Sequence, residues 1–112
     1  MRANIISLLY VFILSLGVYA KDTEVLIIDV RTEAEWNSGY LENAIHVPLD
    51  KIKETIALIE HDKSKEIYLY CRSGNRSGKA TSILQNLGYK NVTNIGGIKT
   101  ASKNLSIPIV TK

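Results

Sequence analysis

Ile67-Tyr68-Leu69-Tyr70-Cys71-Arg72-Ser73-Gly74-Asn75-Arg76 is the stretch on which the reading of this chain turns. Its four leading apolar residues describe a buried strand that runs directly into Cys71. Beyond the loop, Ala80, Ile83, Leu84 and Leu87 fall at i, i+3, i+4 and i+7, the spacing of one helical face. Gly88 stands where a helix C-terminal glycine belongs. Strand, short loop and helix therefore follow one another around a single cysteine.

The same alternation extends in both directions. Upstream, Val25-Leu26-Ile27-Ile28-Asp29-Val30 is a continuous apolar run rich in β-branched residues, the pattern of a strand covered on both faces. Thr32 and Glu35 form a capping box at the head of a short helix that Gly39 ends. Ala44 to Val47 is a second short strand, stopped by Pro48, and Asp50 is expected to cap a helix carrying Ile52, Ile56 and Ile59. Asp62-Lys63-Ser64-Lys65 is a polar connection. Downstream, Asn91 to Ile95 supplies a fourth strand before Gly96-Gly97. Ala101 to Lys112 shows no clear period and is expected to be partly unstructured. Strands alternating with helices at this spacing predict an α/β fold, a small, mostly parallel sheet flanked by helices on both faces.

The whole chain has 112 residues, enough for one domain, and at 46% apolar it can bury a core, which excludes disorder. The apolar residues are unevenly spread. Fifteen of the first twenty are apolar, with Arg2 near the start and Gly17-Val18-Tyr19-Ala20 at the end. A basic start, an apolar middle and small residues at the end describe a secretory signal peptide over residues 1–20, cut after Ala20. Residues 21–112 then form the single mature domain, exported to the periplasm. The competing reading is an uncleaved N-terminal membrane anchor, because the uncharged stretch from Ala3 to Ala20 nearly reaches spanning length. No later apolar run does so. The formal net charge is +3, with lysines interleaved among acids, so the basic stripe that nucleic-acid binding needs is missing. Cys71 is the one cysteine, so disulfide staples are excluded.

A thiol at the carboxyl end of a strand, facing the amino end of the next helix, sits where an anion is stabilised. Arg72 and Arg76 add positive charge nearby, and each effect is expected to lower the thiol pKa of Cys71. Ser73, Gly74 and Asn75 are small or tolerant of unusual backbone angles, which lets successive N–H groups curl into an anion nest. The alternative is an inert buried cysteine at a strand end. Two arginines and a Gly/Ser/Asn loop directly after it argue against that.

The ordered set of motifs resembles the single-domain rhodaneses, the thiosulfate sulfurtransferases. Asp29-Val30-Arg31 is similar to the family's opening motif, followed by Glu35-Trp36. Gly39-Tyr40-Leu41-Glu42-Asn43-Ala44-Ile45-His46-Val47-Pro48 resembles its G-H-I-x-G-A-x-x-[IV]-P segment. Cys71 to Arg76 resembles its six-residue active-site loop, and Gly88-Tyr89-Lys90-Asn91-Val92 with Gly96-Gly97 its closing pattern. Tyr40 replaces the usual His and Asn43 the usual Gly, and the region after Gly97 lacks the Trp often found there. Asn tolerates the left-handed conformation, so the turn at Asn43 is expected to survive.

The resemblance implies Cys71 as the nucleophile that takes the sulfane sulfur of thiosulfate and passes it, as a persulfide, to cyanide or a thiol. It implies that Arg72, Ser73, Gly74, Asn75 and Arg76 bind the substrate, with Arg72 on the thiosulfate oxygens. Arg76 is expected to pair with Asp29, with Asp29 and Arg31 supporting the loop. No metal or organic cofactor is implied. A module that hands persulfide sulfur to a protein partner differs only in its acceptor. A phosphatase of related fold would need C-x5-R, whereas Cys71 and Arg76 make C-x4-R. His46 is expected to be structural or superficial, and Trp36 to pack in the core or near the loop entrance.

Overall fold

The computed structural model describes residues 24–112, so the leader assigned to residues 1–20 lies outside the described residues. The elements run β1 (Leu26–Asp29), α1 (Glu33–Asn37), β2 (Tyr40–Leu41), β3 (Ile45–His46), α2 (Ile52–Ile59) and β4 (Glu66–Cys71). They continue through α3 (Asn75–Asn86), β5 (Asn91–Gly97), α4 (Ile98–Leu105) and β6 (Ile109–Val110). Four strands pair in the order β3-β1-β4-β5, and every pairing is parallel. The α/β architecture expected from the alternating pattern is the one observed. Among the described residues, no helix is long and apolar enough to cross a membrane.

Side-chain parity divides the core in two. Ile28, Ile67, Leu69 and Cys71 point to one face, where Ile52 and Ile56 of α2 and Ala80 and Leu84 of α3 cover them. Ile27 and Tyr70 point to the other, beneath Ile98 and Ala101 of α4 and Leu41 of β2. Each such aliphatic side chain, fully buried, contributes roughly 1.5–3 kcal/mol. Both faces are covered, which is why the strands are continuous apolar runs rather than alternating ones. The Tyr70 hydroxyl accepts from the Leu41 amide at 3.0 Å, tying β2 to the sheet.

Two local expectations are corrected. Asp50 caps nothing: it lies within a 3-10 turn, Leu49–Lys51, that Pro48 begins and that leads straight into α2. The Leu49 amide, first in the turn, donates to the Val30 carbonyl at 3.1 Å, so the turn begins without a side-chain cap. The segment from Ala101 onward is ordered. Ile98, Ala101 and Leu105 share one face of α4, a stripe that starts before Ala101 and so is cut in half when the segment is read from there. β6 pairs antiparallel with β2, placing Ile109 opposite Leu41; two residues are too few to show a period in the sequence.

Candidate active site

The order β3-β1-β4-β5 reverses direction between β1 and β4: the chain leaves β1 for one edge and returns on its other side. Ligands of open α/β sheets bind outside the carboxyl ends of the strands at such a switch point. The two segments that emerge there are Val30 to Glu35 after β1 and Cys71 to Arg76 after β4.

The loop geometry is set by Gly74, the residue before α3, whose φ of 99° lies in the left-handed region that side chains disfavour. That turn aims the Gly74 amide back at the cysteine, and it donates to Cys71 Sγ at 2.9 Å. Ser77, on the first turn of α3, donates from Oγ at 3.4 Å. Burial pushes the thiol up, but the Ser77 hydroxyl and the Ser77, Ser73 and Gly74 amides outweigh it and bring Cys71 down to about 7. What lowers it is hydrogen bonding at the helix amino end, one of the two effects the sequence suggested; the other, the charge of Arg72 and Arg76, is not among the leading causes. The hydrogen bonds thus favour the thiolate near neutral pH, while Cys71 is only 1% exposed.

Arg76 does not pair with Asp29. Its Nη1 and Nη2 donate to Glu35 Oε1 and Oε2 at 2.6 and 2.9 Å. Arg31, two residues along the chain, has already taken Asp29: its Nε and Nη2 donate to that carboxylate at 2.8–3.0 Å, and its backbone amide does so at 2.9 Å. Arg31 Nη2 also reaches the Gly39 carbonyl. Asp29 and Arg31 thus brace the β1 side, and Arg76 is free to turn toward α1. Glu35 has two duties. It closes the capping box with Thr32, as the spacing predicted, and it holds Arg76 from a position 41 residues away.

Arg76, with help from the Thr32 amide and hydroxyl and against some burial, holds the Glu35 carboxyl at about 2. Because that folded value lies below the ordinary carboxylate value, the contribution is complete above about pH 4.5 and is lost as pH falls toward about 2. Urea midpoints of the native chain are expected to fall more steeply through this window than those of Glu35→Gln. Parallel slopes would count against the pair.

On the far side of the loop, β5 carries a bulge. Leu69 pairs with Asn94 but Cys71 pairs with Gly97, so β5 spends one extra residue, with Gly96 at φ 88°. A Cβ on Gly97 would collide with the Arg72 carbonyl, so the strand can approach the loop only as glycine. Asn94, paired with Leu69 just before the bulge, lies under the loop, where Nδ2 donates to the Gly74 carbonyl at 2.9 Å.

Arg72 and Ser73 are exposed on the loop, Asn75 starts α3 in solvent, and Arg72 borders an open cleft of about 370 Å³ shared with Arg31, Glu35 and Lys99. Arg76 borders a second cleft, of about 610 Å³, walled by Val30, Pro48 and Leu49. Trp36 is stacked between Tyr40 and His46, at centroid distances of 3.9 and 4.9 Å. His46 Nε2 bonds the Arg31 carbonyl at 2.7 Å, the structural role expected of it. Tyr40 fills its place by stacking. Asn43 adopts φ 70°, so the turn does survive. Sequence reasoning missed Ser77, Asn94 and the Glu35–Arg76 link. Ser77 could have been found as the third residue of a helix facing a thiol; Asn94 has no local signal.

The fold and site are those of an α/β domain with a buried free cysteine cradled by the amino end of a helix. Residues 17–103 match the model of the rhodanese-like domain, and the chain belongs to that family. It is 40% identical over 72 residues to thiosulfate sulfurtransferase PspE of Escherichia coli, covering 64% of this chain and 69% of that one. It is 38% identical over 80 residues to tRNA uridine(34) hydroxylase of Yersinia enterocolitica, covering 68% of this chain but only 23% of that longer one. Among solved structures, a rhodanese with anions from E. coli superposes with a TM-score of 0.72 at 35% identity, covering 80% of this chain and 100% of that one. A rhodanese-like domain protein from Staphylococcus aureus gives 0.66 at 30% identity, covering 80% and 82%.

Proposed function

We propose that the protein is a sulfurtransferase that moves the sulfane sulfur of thiosulfate to cyanide or a thiol through a persulfide on Cys71. The observation that carries this reading is the Cys71 thiol, brought to about 7 by hydrogen bonds at the amino end of α3. A thiolate is the nucleophile such a transfer needs. It attacks the outer sulfur of thiosulfate; the new S–S bond forms as the bond to the sulfonate sulfur breaks, and sulfite leaves with that electron pair. An acceptor thiolate or cyanide then attacks the outer sulfur, and Cys71 departs as thiolate.

Exposed Arg72 is placed to hold the thiosulfate oxygens, and the amides of Ser73 to Arg76 to hold the outer sulfur. The likeness to PspE and to the anion-containing E. coli rhodanese supports a small anionic donor. The C-x4-R loop speaks against a phosphatase, whose C-x5-R loop has room for a tetrahedral phosphoryl group. Delivery to a protein acceptor would use the same first step. The leader-like sequence of residues 1–20 supports export to the periplasm as the setting.

The test is to incubate the protein with thiosulfate and follow sulfite release and intact mass. A gain of one sulfur atom on Cys71, discharged by cyanide as thiocyanate, is expected. A free thiol that stays unmodified in thiosulfate would overturn the donor assignment.

A further inference from the structure

One of the groups that lower the Cys71 thiol faces more than the sulfur. Ser77 is fully buried, and its Oγ lies 3.4 Å from Cys71 Sγ and 2.6 Å from Asn94 Oδ1. A serine hydroxyl carries one hydrogen and cannot donate to both. Asn94 Oδ1 also accepts from the Gly96 amide at 2.9 Å, while Nδ2 donates to the Gly74 carbonyl. Those two bonds settle which end of the amide is oxygen, so with Cys71 as thiolate Ser77 faces two acceptors and no donor there.

We propose that Ser77 is a positioning residue whose single hydrogen moves between Asn94 Oδ1 and Cys71 Sγ as the charge on the sulfur changes, with Asn94 holding it whenever the sulfur is neutral. The proposal rests on the persulfide reading. In the free thiolate, Sγ carries full charge and the charge-assisted bond to sulfur is the stronger one. Once Sγ bears the sulfane sulfur it is neutral, the negative charge moves to the outer sulfur, and the hydroxyl turns to Asn94. During discharge the acceptor bonds the outer sulfur as the Sγ–S bond breaks, and that electron pair returns to Sγ. The hydrogen swings back to meet the developing charge. A bond that strengthens only as charge develops lowers that barrier. In loading the charge leaves Sγ, so the same bond gives no help.

The charged groups around the sulfur are Arg72 and Arg76 on its own loop and helix, Glu35 on α1, the Asp29–Arg31 pair after β1, and Lys99 on α4. Among the described residues none of these side chains bonds the Ser77 or Asn94 side chain, whose partners are Cys71, the Gly74 carbonyl, the Gly96 amide and each other.

Two variants of the full chain test this with opposite signs. In Ser77→Ala, the pH midpoint of iodoacetamide alkylation of Cys71 is expected to rise, and discharge of the persulfide to cyanide to slow roughly tenfold. Loading from thiosulfate, per thiolate, should not slow and should rise if anything, because the bond that Ser77 gives the thiolate is lost as charge leaves Sγ. In Asn94→Ala, the hydrogen has only the sulfur left and the alkylation midpoint should fall. A structural role alone would slow loading and discharge by the same factor in Ser77→Ala, and that result overturns the proposal. A midpoint that rises in Asn94→Ala also overturns it, even where Ser77→Ala fails to fold. Alkylation needs no sulfur donor, so a native chain that ignores thiosulfate refutes the donor assignment while the midpoints still decide Ser77.

Discussion

Cys71→Ser is expected to reduce thiocyanate formation from thiosulfate and cyanide by roughly a thousandfold or more, leaving the background rate. The fold should persist, because serine is smaller by little and its hydroxyl can still accept from the Gly74 amide that bonds Sγ at 2.9 Å. The chemistry should not. A serine nucleophile needs an adjacent general base, and the groups bonded to this position are the Gly74 amide and the Ser77 hydroxyl, neither of them a base. The thiol, by contrast, is brought down to about 7 by hydrogen bonds, without a base. Thermal unfolding recorded beside the assay separates the two effects. Full activity in a folded Ser variant would remove Cys71 from the mechanism.

Asp29→Ala should cost about 3–5 kcal/mol, a large share of the stability of so small a domain. Asp29 is completely buried and Arg31 is 5% exposed, so truncating the carboxylate leaves a guanidinium in the interior without a counter-charge. The loss would spread, because Arg31 also anchors the Gly39 carbonyl just before β2. A second substitution gives the control. Asp29→Leu combined with Arg31→Met removes both charges together and should recover much of the loss, since it is the unpaired charge that is expensive. Urea midpoints of the three chains measure it. A single variant within about 1 kcal/mol of native would show that the pair does not hold this corner.

The features legible in the sequence share a short range. Thr32 and Glu35 cap α1 because their spacing alone brings hydroxyl and carboxylate to the first turn. Ala80 and Leu84 line one face of α3 because of the helical repeat, and Asn43 keeps its turn because of its own φ preference. The cysteine at a strand end, with a small-residue loop and a helix after it, likewise announces its surroundings within a few residues.

What failed locally had a neighbour that the spacing did not show. Asp50 has the chemistry of a cap, yet Pro48 starts the turn first. The terminal stripe of α4 was hidden because it begins at Ile98, across the glycines of β5.

By itself, then, the sequence determined the α/β class, the strand that ends in Cys71 and the loop and helix that follow it, since these follow from patterns within a few residues of one another. Only the tertiary structure decided the partners. Arg76 meets Glu35 rather than Asp29 because Arg31, adjacent in the chain, saturates that carboxylate first. Asn94 reaches Ser77 and the loop because it pairs with Leu69, two residues before Cys71 and on the same face of the sheet. Such contacts depend on strand order, register and side-chain parity, which are properties of the assembled sheet and have no signature in any single stretch of chain.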